Sequence, residues 1–307
     1  MPSTAFPFYV QKSADGKDRG LLLYQNLTKQ LHQWKHVSGA LIHSMDGLKS
    51  ESDSALRALA AMKEISDGRA SIPISTIGPL LHTSSPPTSH NNPTTTNESG
   101  DISVGQLFEW LDTRATASVL YISMGSVVRW EAGQAREVAM ALLALRQAFV
   151  WVMRPWELRE SLPKAVLDHE LGRLVKWAPQ VPLLQHPSIG AFFTHAGWNS
   201  TLETVSHGVP TLAWAHFVDQ LTNAWFLTHH WQVGLEISTH DFHQSEIQRL
   251  ISLLMHDGPD RRLYMSHLAC HRDTARQAML SSSSRKKLYA FLDEILDNFL
   301  SVETMRN

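Results

Sequence analysis

Residues 192–210 read FFTHAGWNSTLETVSHGVP. An apolar run stops at His195, Gly197 and Trp198, Asn199-Ser200 opens a helix, and Gly208-Val209-Pro210 closes the unit. The pattern is strand, tight turn, helix. The spacing predicts a strand over Ile189–Thr194 and a helix from about Ser200. A helix N-terminus offers unpaired N–H groups and a partial positive charge, which together suit a phosphate. Gly197 lets the backbone approach closely, and His195, Asn199 and Ser200 add side-chain donors. Capping is the competing reading, because Ser200-x-x-Glu203 matches a capping box. Capping accounts for the Ser and the Glu but not for a His and a Trp at the preceding turn. From local physics alone the two readings stay level. Gly208 and Pro210 are ordinary helix termination.

The surrounding chain alternates in the same way. Strands are expected at Ser118–Ser123, Phe149–Met153, Leu174–Trp177, Thr211–Ala215 and Val233–Ile237. Helices are expected at Ala132–Arg146, Asp219–His229, 243–255 and 259–279. Short apolar strands alternating with helices argue for an α/β fold with a doubly wound parallel sheet. Ligands in such sheets sit beyond the carboxyl ends of the strands. Two turns occupy that place: Met124-Gly125-Ser126 and His195-Ala196-Gly197-Trp198-Asn199-Ser200. Residues 285–300 make a further amphipathic helix with Leu288, Phe291, Leu292, Ile295 and Phe299 on one face.

The stretch 82–98, HTSSPPTSHNNPTTTNE, is rich in Ser, Thr, Asn and Pro and reads as a linker. Ahead of it lie a helical pattern over Leu21–Trp34, a strand at Gly39–His43, a helix from Glu51 to Lys63 and a strand at Ile72–Ile77. Those elements are too few for a closed α/β layer, so residues 1–81 read as the tail end of a domain.

At 307 residues the chain has room for two ordinary domains, or for one and a half, and 43% hydrophobic with 18% charged residues fits a sizeable core. A net charge of −2 gives no electrostatic argument for nucleic acid or an anionic membrane. The one cysteine, Cys270, cannot form an internal disulfide and fits a reducing, cytoplasmic setting. The N-terminal residues do not have the pattern of a signal peptide. Motifs for dinucleotides, P-loops and serine hydrolases are absent. The set His229, His230, His240 and His243 lacks a zinc spacing.

Residues 177–220 read WAPQVPLLQHPSIGAFFTHAGWNSTLETVSHGVPTLAWAHFVDQ. This stretch resembles the 44-residue donor-binding signature, the PSPG box, of plant family 1 UDP-sugar glycosyltransferases. WAPQ, HxGWNS, the Glu, GVP and the closing DQ all stand at the family spacing. IGPL at 77–80, the Gly125-Ser126 turn and the serine run before the last helix also resemble family features.

The resemblance implies a GT-B fold, with a Rossmann-like C-terminal domain for the UDP-sugar facing an N-terminal domain for the acceptor. It implies that Trp177 stacks on uracil, that Ala178 meets it through the backbone, and that Gln180 helps at the nucleoside. Glu203 would accept from the ribose hydroxyls. His195, Asn199 and Ser200, beside Gly197, would hold the diphosphate, with Ser126 adding a hydroxyl. Trp198, Asp219 and Gln220 would meet the sugar, glucose where the last residue is Gln. Most members carry Cys where this chain has Ala196.

The family's general base is a His just after the first strand. Here the first histidine is His32, inside the helical context LTKQLHQWKHV. The chain is therefore expected to begin inside the N-terminal domain, and no catalytic base is assigned. The domain expectation is a remnant of the acceptor domain over 1–81, a linker over 82–98, a UDP-sugar domain over 99–283 and a returning helix over 284–307. The functional expectation is inverting transfer of glucose to a hydroxyl of a small lipophilic acceptor such as a flavonoid, by a monomer, with no metal or other cofactor. The alternative is a UDP-sugar-binding fragment without catalysis.

Overall fold

In this computed structural model, residues 40–44, 74–79, 102–167, 170, 172–280 and 286–293 are described. The expected helices over 21–34 and 51–63, the linker over 82–98 and the serine run lie outside them. The chain divides into two compact units, Met1–Pro7 with His82–Cys270, and Phe8–Leu81 with His271–Asn307.

In the larger unit, helix α1 (Val104–Asp112) leads into β3 (Val119–Ser123), after β1 (Ala40–His43) and β2 (Ile74–Ile77) of the other unit. Then come α2 (Ala132–Leu145), β4 (Ala148–Val152), a 3-10 turn at Trp156–Ser161, α3 (Lys164–Leu167), β5 (Gly172–Val175) and α4 (Gln180–Gln185). β6 (Ile189–Thr194), α5 (Trp198–His207), β7 (Thr211–Ala213), α6 (Gln220–Trp225) and a π turn at Phe226–His230 follow. β8 (Gly234–Glu236), α7 (Gln244–Met255) and α8 (Pro259–Leu280), of which the part up to Cys270 belongs to this unit, come last. The six strands are parallel, in the order β5-β4-β3-β6-β7-β8.

β3, β4 and β6 are buried along their whole length. Both faces of the sheet are covered, which is why VLYIS, AFVWV and IGAFFT read as continuous apolar runs rather than alternating ones. Leu120, Ile122, Trp151, Phe193 and Leu212 face one core with α2 and α7. Val119, Tyr121, Val150 and Phe192 face the other, with α1 and α4. Three of the many tryptophans are explained by the first core. Trp130, Trp151 and Trp214 cluster there, with Trp214 stacked on Phe242 at 4.0 Å.

The strand expected at Leu174–Trp177 runs instead over Gly172–Val175, which leaves Trp177 beyond the sheet and 58% exposed. α1 begins with a capping box formed by Ser103 and Gln106. The helix expected over Asp219–His229 is split into α6 and the π turn, where Trp225 lies parallel to His229. Among the described residues, no helix is long and apolar enough to cross a membrane.

In the smaller unit, β1 (Ala40–His43) pairs parallel to β2 (Ile74–Ile77). Residues 286–293 are helical, and Lys287 Nζ donates to Thr76 Oγ1 at 3.2 Å.

Candidate functional site

The strand order places the site. From β3 the chain runs outward through β4 and β5, then crosses to β6 on the other flank of β3. That reversal is a topological switch point, and it opens a crevice past the carboxyl ends of β3 and β6. The two turns singled out in the sequence leave from those two ends.

They meet around His195. A Cβ placed on Gly125 would lie 2.7 Å from Cε1 of His195, and one on Gly197 would lie 2.5 Å from Nε2. The imidazole is therefore held between two glycines that nothing larger can replace without displacing it. Gly125 also stands at φ +68°, which glycine adopts at no steric cost. Burial lowers the pKa of His195, and the Asp219 charge works against that. Ser126 follows Gly125 as an exposed residue.

The start of α5 settles the capping question. The N-cap is Gly197, so the helix begins two residues earlier than expected and no side chain caps it. Ser200 and Glu203 lie inside the helix, and both are engaged by Gln180. Gln180 Nε2 donates to Ser200 Oγ at 2.9 Å and to Glu203 Oε2 at 2.6 Å. The capping box is therefore not formed. A helix N-terminus without a side-chain cap, next to a half-buried His, is what an anionic ligand would use. At the other end Gly208 closes α5 in the left-handed conformation, as the sequence indicated.

α4 positions Gln180 as its first residue, after Trp177, the buried Ala178 and the N-cap Pro179. Burial raises the pKa of Glu203, partly offset by the Gln180 N–H bond. One carboxylate oxygen is thus anchored by a protein donor while the group lies only partly buried. Trp198 is half-buried and Asn199 is exposed at the first turn of α5.

The loop before α6 carries Asp219 and Gln220. Gln220 is buried, and its Oε1 accepts from the backbone N–H of His216 at 3.0 Å and of Phe217 at 3.3 Å. Asp219 is exposed, and its Oδ2 accepts from Asn223 Nδ2 at 2.9 Å. Asn223 Nδ2 also donates to the backbone carbonyl of Ala196 at 3.0 Å, tying α6 to the β6 turn. Ala196 itself sits at φ +58°.

Three residues of this site carry no motif in the sequence: Asn223, Tyr121 and His216. Asn223 could have been found from its place four residues after Asp219 on a helix. Tyr121 OH donates to Gln180 Oε1 at 3.4 Å, from a strand where the ring reads as core. The pKa of His216 is pushed down to about 4 by burial and by the His195 charge. Its Nε2 is buried with no hydrogen-bond partner.

A separate concavity of about 760 Å³ lies on the opposite flank of α6, between Trp225, His229, Leu235, Glu236, Leu263 and Tyr264. None of the twelve candidate residues lines it. The convergent polar groups lie at the switch point, and we place the candidate site there. Among the described residues, no group of three His, Cys, Asp or Glu side chains could hold a metal ion.

Residues 102–278 match the family model described as UDP-glucuronosyl and UDP-glucosyl transferase. The chain belongs to this family. Among related transferases, it is 38% identical over 194 residues to an anthocyanidin 3-O-glucoside 5-O-glucosyltransferase of Verbena hybrida, covering 61% of this chain and 42% of that one. It is 32% identical over 278 residues to UDP-glycosyltransferase 76C1 of Arabidopsis thaliana, covering 88% and 55%. The chain thus spans about half the length of these transferases. Among solved structures, a UDP-glucosyltransferase of Polygonum tinctorium is 28% identical with a TM-score of 0.74, covering 95% of this chain and 60% of that one. A transferase of Siraitia grosvenorii, solved with UDP, is 25% identical with a TM-score of 0.72, covering 96% and 66%. The family and the parallel sheet give the GT-B fold class.

Proposed function

We propose that this chain carries the donor site of a transferase that moves glucose from UDP-glucose, with inversion, onto a hydroxyl of a small lipophilic acceptor such as a flavonoid or another phenolic. The observation that carries the reading is the three-part arrangement at the switch point. The exposed indole of Trp177 stands three residues before Gln180, Gln180 holds the Glu203 carboxylate, and Glu203 lies on the helix whose uncapped start is beside His195. Those parts match, in order, a base, a ribose and a diphosphate.

In this reading Trp177 stacks on uracil, and Ala178 meets its edge through the backbone. The anchored Glu203 accepts from the ribose hydroxyls. His195, the Asn199 and Ser200 groups of the first turn of α5 and the Ser126 hydroxyl receive the diphosphate, and Gly197 allows its close approach. Trp198, Asp219 and Gln220 face the sugar. As the acceptor hydroxyl gives up its proton to a base and its oxygen bonds to the anomeric carbon, the bond from that carbon to the phosphate oxygen breaks. Negative charge then gathers on the leaving UDP, where the helix N-terminus and His195 already point. No metal enters this scheme, and the protein acts as a monomer in the cytoplasm. The donor groups all lie within the unit containing His82–Cys270, and no described residue is assigned as general base. A UDP-sugar-binding module without turnover is therefore the second reading.

Glucosyl transfer from UDP-glucose to a panel of phenolic acceptors separates the two, with calorimetry of UDP alongside. Turnover supports the transferase, whereas UDP binding that is weakened by Glu203→Ala, without turnover, supports the module. Absence of UDP binding at millimolar concentration overturns both.

A further inference from the structure

We propose that Tyr121 is a positioning residue for ribose recognition: acting through the Gln180 amide, it holds Glu203 in the orientation that receives the ribose hydroxyls. The inference rests on the donor-site reading above. It concerns a residue of β3, outside the 177–220 stretch that carries the resemblance.

The phenol is placed by the fold rather than by the site. β3 pairs with β6 in a register that sets Tyr121 opposite Phe192, and the two rings stack at 4.5 Å with planes 14° apart. The side chain is almost fully buried, so its ring has one place to be. Its hydroxyl reaches Gln180 Oε1 at 3.4 Å. That is long for an O–H···O bond, so the stacking, not the bond, fixes the hydroxyl. Burial first, with the nearby Glu203 charge in addition and against the Ser123 hydrogen bond and the Arg154 charge, holds the phenol protonated and keeps it a donor.

The amide turns this fixed donor into an orientation. A glutamine has one acceptor end and one donor end. With the phenol donating to Oε1, the NH2 end faces Ser200 and Glu203, and both of its bonds there are short. Turned the other way, the amide oxygen would face a carboxylate, which is acceptor-only when ionised. Removing the phenol hydroxyl leaves Oε1 without this donor and weakens the preference. Glu203 Oε2 then loses its fixed partner for part of the time, and the carboxylate is no longer held for the ribose. A site built to hydrogen-bond a hydroxyl discriminates against ligands lacking it, so the loss is read as discrimination.

The test uses the 307-residue chain and calorimetric affinities for UDP and 2′-deoxy-UDP. Wild type should prefer UDP. Tyr121→Phe keeps the stacked ring and should cut that preference by about threefold to tenfold, the scale of one neutral hydrogen bond. Its affinity for 2′-deoxy-UDP should stay within about twofold of wild type. Gln180→Met should cut the preference at least as far, and adding Tyr121→Phe to it should cost nothing more, because the two act in one relay. Equal weakening of both ligands, an unchanged preference in Tyr121→Phe, or additive losses in the double variant would overturn the proposal. Should Tyr121→Phe not fold, an unchanged preference in Gln180→Met overturns it instead. Failure of wild type to bind UDP, or a preference untouched by Glu203→Ala, refutes the donor-site reading itself. Each of those results removes the basis of the relay as well.

Discussion

His216 is one of many histidines, and nothing in its spacing marks it. The fold gives it a property that composition cannot: its ring sits edge-on to Trp214 at 4.2 Å, and burial with the His195 charge pushes its pKa down to about 4. In the unfolded chain an imidazole takes up its proton near pH 6.5. Between about 6.5 and 4 the unfolded state therefore binds more protons at this position than the folded state does. Its contribution to stability is complete above about pH 6.5 and is lost as pH falls toward 4, at up to about 1.4 kcal/mol per pH unit. His216→Met, similar in bulk and uncharged, should flatten the fall of melting temperature across that window, whatever it does to absolute stability. Parallel wild-type and variant curves between pH 6.5 and 4 would show that this imidazole is not held neutral. Gln180 teaches the same lesson in another form. The sequence marks it as one letter of WAPQ, while its geometry makes it the link between Tyr121, Ser200 and Glu203.

Among the elements, β6 was fully legible because IGAFFT is a continuous apolar run between a Pro-Ser pair and a His-Gly turn. The start of α5 was not. Ser200-x-x-Glu203 has the capping pattern, but Gly197 takes the N-cap with extended backbone and shifts both side chains into the helix, where Gln180 engages them. α4 escaped because six residues, one of them Pro182, are too few to show a period. α1 left a readable start signal in Ser103-x-x-Gln106. The loop between β7 and α6 hides a strained residue that no pattern announces. Val218 stands at φ +58°, where a β-branched side chain is crowded. Such a residue costs about 1–3 kcal/mol, and the bonds from Gln220 to the preceding loop and from Asn223 to Asp219 hold it there. Val218→Gly relieves the strain and returns about 0.5–1 kcal/mol through greater freedom of the unfolded chain. The net expectation is stabilisation by about 1 kcal/mol in urea unfolding. A loss of more than about 1 kcal/mol would mean that Val218 contributes packing that outweighs its backbone.

On the scale of the whole molecule, the candidate site gathers groups far apart in sequence. Ser126 follows β3, Trp177 and Gln180 follow β5, His195 to Glu203 follow β6, and Asp219 precedes α6. That convergence follows from the strand order, which the sequence could not supply because alternating strands and helices permit several orders. The same sheet offers a second concavity beside β8, on the far side of α6. The two locations give opposite footprints in hydrogen exchange. A ligand that binds only the folded state stabilises it by about 2.7 kcal/mol at one hundred times its dissociation constant. Amides at and around its contacts slow by the largest factors. With saturating UDP, protection should appear together at 124–126, 177–180 and 195–203, and be weaker at 234–239 and 263–264. Protection centred on the latter two segments, with 195–203 unchanged, would move the nucleotide to the β8 concavity. It would leave the uncapped start of α5 without a ligand. Protection at 195–203 without 177–180 would keep the phosphates in place and remove the base and ribose from Trp177 and Gln180. The pattern across separated segments therefore tests the assembled site as a unit, which no single substitution does.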